Sequence, residues 1–119
     1  MNIVILRGML SRPCELRELR SGDHVAAYEV TIRHEDGPAD TVPVVWHGAP
    51  AWACGLDVGE EVVVTGRVRR RFFRAGGSTQ SRTEVVADAV IPGRRRKRAG
   101  EAIDAVLRQV EADELAGAG

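Results

Sequence analysis

Five arginines, Arg67, Arg69, Arg70, Arg71 and Arg74, surround Phe72 and Phe73. Guanidinium groups follow a phosphate backbone, and aromatic faces stack on bases of any identity. Arginines interleaved with phenylalanines therefore suit a surface for single-stranded nucleic acid. The bland alternative is a solvated basic hairpin whose phenylalanines lie in a core. In a strand, the two-residue period puts Arg69, Arg71 and Phe73 on one face and Arg70, Phe72 and Arg74 on the other. Phe73 is the favoured stacking platform, with Phe72 or Trp46 as second candidates. Alternation assigns Phe72 to a core or interface. The run Arg94, Arg95, Arg96, Lys97 and Arg98 offers further phosphate contacts. Trp52 reads as core or interface in preference to a base platform.

The element that must position these residues is a long β-hairpin over residues 58–90. Val62, Val63 and Val64 open its first arm, and Val85 and Val86 lie in the second. Gly66 marks a bulge or bend, and the polar stretch from Ala75 to Ser81 is the connection. Upstream, residues 2–10, 24–33 and 41–47 read as strands. Ala26, Tyr28, Val30 and Ile32 share one face of the second of these. Residues 15–20 fit strand or helix equally. Pro43 cannot donate to a ladder and belongs at an edge or an unpaired position. Pro50 and Gly55 bracket a short helix between the third and fourth strands. Ile103, Val106, Leu107 and Val110 recur at helical spacing from Ala102 to Leu115. That stripe must dock on its own sheet, a second copy or another protein, and a second copy is favoured.

The 119 residues fit one small domain with an appendage. No apolar run reaches a membrane span, no export signal leads the chain, and a cytoplasmic, nucleoid-associated protein is expected. Cys14 and Cys54 are too few for a zinc site. Unless the fold brings them together, they are expected to be two free, buried thiols. His24, His34 and His47 are dispersed, and no spacing resembles a metal, cofactor or nucleophile motif, so neither an enzyme nor a cofactor is expected. The zero net charge hides a strong asymmetry. Residues 62–98 carry eleven Arg or Lys against two acids, whereas residues 1–61 carry −5 and residues 99–119 carry −4. A polyanion suits the basic middle. The acidic helix could also fold back over the arginine hairpin and compete with it.

Residues 2–10, Pro13-Cys14-Glu15-Leu16-Arg17, Ser21-Gly22, Val44-Val45-Trp46-His47-Gly48, Val62 to Val68 and Arg82 to Asp88 resemble, in that order, the bacterial single-stranded DNA-binding proteins. The resemblance covers about residues 1–91. It implies an all-β, five-stranded Greek-key barrel of the oligonucleotide-binding fold, with the short helix between strands 3 and 4 and an appended C-terminal helix. The family's base-stacking aromatic positions fall on Phe73 and His47, the latter beside Trp46. Two others fall on Thr41 and near Asp36, so half the stacking set is missing. The family's acidic, phenylalanine-containing tip is absent, so recruitment of other proteins through it is not implied. A homo-oligomer is implied, a tetramer by resemblance with a dimer as the alternative.

The sequence thus predicts a domain over residues 1–91, a basic linker over 92–99, and an amphipathic helix with a short tail over 100–119. The expected function is binding of single-stranded DNA with little sequence preference, in replication, recombination or repair. The alternatives are a protein-interaction module that binds nucleic acid weakly, and a single-stranded RNA binder.

Overall fold

The computed structural model describes residues 1–117. Six strands, β1 (Val4–Leu10), β2 (Glu15–Glu18), β3 (His24–Ile32), β4 (Asp40–His47), β5 (Glu61–Ala75) and β6 (Ser78–Pro92), form one sheet, and helix α1 (Arg96–Gly117) follows. The strand order is β1-β5-β6-β4-β3-β2. Met9 also pairs with Thr31, and Leu10 with Val30, so β1 touches β3 as well as β5. This mostly-β architecture is consistent with the oligonucleotide-binding fold, with one strand more than expected. The extra one is β2, where the pattern fitted strand or helix equally.

Alternation builds the core. Ala26, Tyr28 and Val30 of β3 face Trp46, Val44 and Val42 of β4 by direct pairing. Together with Leu10, Val62, Val64, Val85 and Val90 they make the main apolar cluster. Tyr28 is buried and donates its hydroxyl to the Ala53 carbonyl at 2.7 Å. Burial raises the pKa of that hydroxyl above its ordinary value. Pro43 comes one residue before β4 begins to pair with β6 at Val44, where β4 has a free edge.

The hairpin forms as expected but with a much shorter connection. Ala75 pairs with Ser78, so only Gly76 and Gly77 turn the chain, at φ +58° and +81°. A two-residue turn with both φ positive matches the twist of the arms, and only glycine adopts it freely. The bulge is where Gly66 predicted it. Thr65 pairs with Ala89 and Gly66 with Ala87, which leaves Asp88 unpaired. A Cβ on Gly66 would collide with the Val86 carbonyl and the Ala87 backbone.

Three expectations need correction. No helix forms between the third and fourth expected strands. Ala53 N–H bonds to Pro50 O and Gly55 N–H to Trp52 O, so residues 51–54 are single turns that do not propagate. The pull of Tyr28 on Ala53 and a covalent link at Cys54 hold that backbone instead. The two cysteines are not free, since Cys14 and Cys54 form a disulfide with their Cα atoms 5.2 Å apart. Finally, α1 starts at Arg96, so Arg96, Lys97 and Arg98 are its first turn and not the end of a linker. Glu101 and Asp104 consequently fall beyond the first turn, which holds no acid.

Ala99, Ala102 and Ile103 of α1 pack against Val63, Ala89 and Ile91. The first half of the helix therefore docks on its own sheet, on the side away from the main cluster. Farther along, Leu107 and Leu115 are exposed. The expected tail residues Ala118 and Gly119 lie outside the described residues.

Candidate nucleic-acid interface

The arginine stretch lies on a projecting ribbon. Beyond Val68, residues 69–75 of β5 pair only with residues 78–84 of β6. Strand β1 stops at Val4, opposite Gly66. Past it the Asn2 side chain stands in for a strand. Its Nδ2 donates to Val68 O at 2.8 Å, and its Oδ1 accepts the Val68 N–H at 2.9 Å. Among the described residues the ribbon's far end has no such partner, and its side chains are largely solvated.

Direct pairing assigns the two faces. Arg67, Arg69, Arg71 and Phe73 lie opposite Val86, Glu84, Arg82 and Gln80. Val68, Arg70, Phe72 and Arg74 share the other face with Val85, Thr83, Ser81 and Thr79. The first face continues across the sheet, because Val86 also pairs with Val45, Val45 with Ala27, and Ala27 with Glu15. Arg69, Arg71 and Arg82 line a shallow trough there with Arg17, Val25, Ala27, Val45 and His47.

Glu84 sits at the floor of that trough, only 2% exposed. Its Oε1 accepts from Arg69 Nη2 at 2.7 Å and lies 3.4 Å from Arg71 Nε. A buried carboxylate is stable only when paired, and two guanidinium groups on one oxygen satisfy that need. The pairing fixes both arginines while leaving their side chains 37% and 48% exposed. Arg69 Nε is buried without a hydrogen-bond partner among the described residues. The guanidinium of Arg71 also lies 5.4 Å from the Phe73 ring centroid, a cation–π contact. Phe73 is half-buried under it.

On the opposite face Phe72 is 68% exposed, which excludes the core role expected for it. Arg70 Nε donates to Ser81 Oγ at 3.1 Å beside it. Among the described residues no acid comes within ion-pair distance of Arg67, Arg70, Arg74 or Arg82. Free charge therefore dominates the ribbon.

The remaining candidates lie elsewhere. His47 is exposed and pairs with Val25 at the trough's edge. Trp46 belongs to the core and meets the Trp52 ring edge-on at 5.6 Å, so it offers no platform to a base. Arg94 is tied to Glu60 at 3.2 Å. Arg95, Arg96 and Lys97 are exposed, and Arg98 lies 5.8 Å over the Trp52 ring. Glu84, Arg17 and Arg82 were missed as parts of the site. A glutamate among arginines is an ordinary solvated residue by pattern, and only the cross-strand register buries it.

Among the described residues no cluster of His, Cys, Asp or Glu could hold a metal ion, and no helix is long and apolar enough to cross a membrane. No similar curated protein was found. A family model described as "Single-strand binding protein family" matches residues 1–92, which span β1 through β6 and stop short of α1. Single-stranded nucleic-acid binding in the general sense comes with that match, and the chain belongs to the single-strand binding protein family.

Proposed function

We propose that the protein binds single-stranded DNA, without catalysis and with little sequence preference, and serves replication, recombination or repair. The carrying observation is the row Arg67, Arg69, Arg71 and Phe73 on one face of the ribbon, continuous with the trough on β3 and β4. Phosphates are held by Arg67, Arg69, Arg71, Arg70 and Arg74, and by the exposed cations Arg95, Arg96 and Lys97. A base stacks on Phe73. His47 borders the same path. The pairing of β1 with both β5 and β3 supports a closed five-stranded barrel with β2 added at one side. Self-association is part of the reading, and exposed Leu107 and Leu115 on the far half of α1 support it. The helix docks at the embedded end of the hairpin, which argues against its covering the arginines.

The test is a titration of fluorescent oligothymidine against duplex DNA and RNA of equal length. Micromolar or tighter binding to the single strand is expected at low salt. Each phosphate neutralised adds about −0.7 to the slope of log affinity against log salt. A flat salt response, or a preference for duplex, would overturn the reading. Preference for the RNA strand would move the function to RNA.

A further inference from the structure

We infer that Trp52 and Arg98 form a second base-stacking site, remote from the ribbon. The inference rests on the single-stranded DNA reading and extends it to the opposite end of the sheet. Tryptophan is the largest apolar side chain, yet Trp52 is 39% exposed. It is also held in place. Trp46, anchored in the core, meets it edge-on with ring planes 71° apart. Arg98 projects from the first turn of α1 over the ring, 5.8 Å from its centroid. A rigid, half-open aromatic with a cation beside it is what stacking on a base and pairing with the adjoining phosphate require.

The charge around the ring points to the same ligand. Arg95, Arg96 and Lys97 are exposed, and among the described residues none has an acid within ion-pair distance. Three cations sit in the first turn of α1, at the positive end of its dipole, and no acid there offsets them. Like charges at that end destabilise a helix. The approach of a polyanion removes the conflict, so the arrangement favours a phosphate chain over an uncharged partner.

The site is well separated from Phe73. Strands β4 and β6 run parallel, with Val44 beside Val85. Phe73 pairs with Gln80, five residues before Val85, while Trp52 follows the end of β4 at His47. At about 3.3 Å per residue the two aromatics lie roughly 25 Å apart along the strands. One strand can engage both only if it crosses the trough between them. Trp52 then supplies, from another part of the fold, one of the stacking surfaces missing at Thr41 and Asp36.

Tryptophan emission tests this on the full chain. A labelled oligothymidine of roughly 16 nucleotides, the long end of the range for such a domain, is followed by anisotropy while tryptophan emission is recorded in parallel. Emission should fall as the strand binds, because a base stacked on Trp52 quenches it. Trp52→Phe should abolish most of that quenching, and Trp52→Leu should weaken binding roughly tenfold. Phe73→Ala should leave quenching at saturation intact. Binding without quenching in the unaltered protein overturns the second site and spares the single-stranded DNA reading. So does quenching that survives in Trp52→Phe. If the labelled strand does not bind at all, the parent reading fails and this site with it. The unaltered protein carries the decisive measurement, so a Leu variant that fails to fold does not protect the proposal.

Discussion

The two halves of the long hairpin share the same strands and differ in everything else. From Val62 to Thr65 and from Val85 to Ile91 the arms are flanked by neighbouring strands and by α1, and nearly every side chain is buried. From Arg69 to Glu84 the same arms stand alone, and charge replaces valine. The boundary falls at Val68, where Asn2 ends the support given by β1. The buried half gains stability from apolar area removed from water, at roughly 25 cal/mol per Å². The projecting half has little such area to bury, so its residues are free to be chosen for a ligand. The exception is Glu84, which is buried at the junction and holds two of the arginines. Stability and binding are thus separable along one hairpin, and substitutions should sort accordingly.

The largest expected effect is at the embedded end. Reduction of the Cys14–Cys54 disulfide frees a loop of 40 residues' separation. In the chain-entropy model that costs about 4 kcal/mol of stability. Denaturant midpoints with and without reductant should show it. Next comes Gly66→Ala, where the new Cβ meets backbone that cannot give way. A loss of about 3 kcal/mol or more is expected, since the bulge has no room to relax. A stable Gly66→Ala protein with wild-type melting would show that the bulge is not under that constraint.

On the ribbon the ordering reverses. Phe73→Ala should weaken single-strand binding by roughly 1–3 kcal/mol and leave the melting temperature nearly unchanged. Phe72→Ala should alter stability by no more than about 0.5 kcal/mol, because the ring is already in water. Strong destabilisation by either change would erase the distinction between the halves.

In the core a single hydrogen bond, at Tyr28, contributes less than the disulfide or the bulge. Tyr28→Phe leaves the Ala53 carbonyl without its donor and should cost about 1 kcal/mol near neutral pH. Burial holds the native hydroxyl protonated above its ordinary pKa of about 10. The unfolded chain ionises first, so the stability this residue contributes is intact below about pH 10 and declines as pH rises beyond it. Urea midpoints measured across that range should fall more steeply for the natural protein than for Tyr28→Phe.

Much of this was determined by the sequence alone. Period-two alternation fixed the faces of β3, and the valine pairs with Gly66 located the hairpin and its bulge. The ordered motifs from Asn2 to Asp88 identified the family, because local patterns carry local structure. The separation of Arg69, Arg71 and Phe73 from Arg70, Phe72 and Arg74 also followed from the strand period. What alternation could not decide was which residues find neighbours. Phe72 was assigned to a core or an interface because phenylalanine usually seeks one, and the core is ruled out because the ribbon outruns the strands of its own chain that could cover it. The short helix was expected from Pro50 and Gly55, yet contacts from Tyr28 and Cys14 to that segment set its backbone instead. The disulfide joins residues 14 and 54, and nothing local to either signals the other. Glu84 reads as one more solvated acid until pairing with Arg69 seals it beneath two guanidinium groups. Each of these depends on contacts between residues far apart in the chain, and only the tertiary structure brings such residues together.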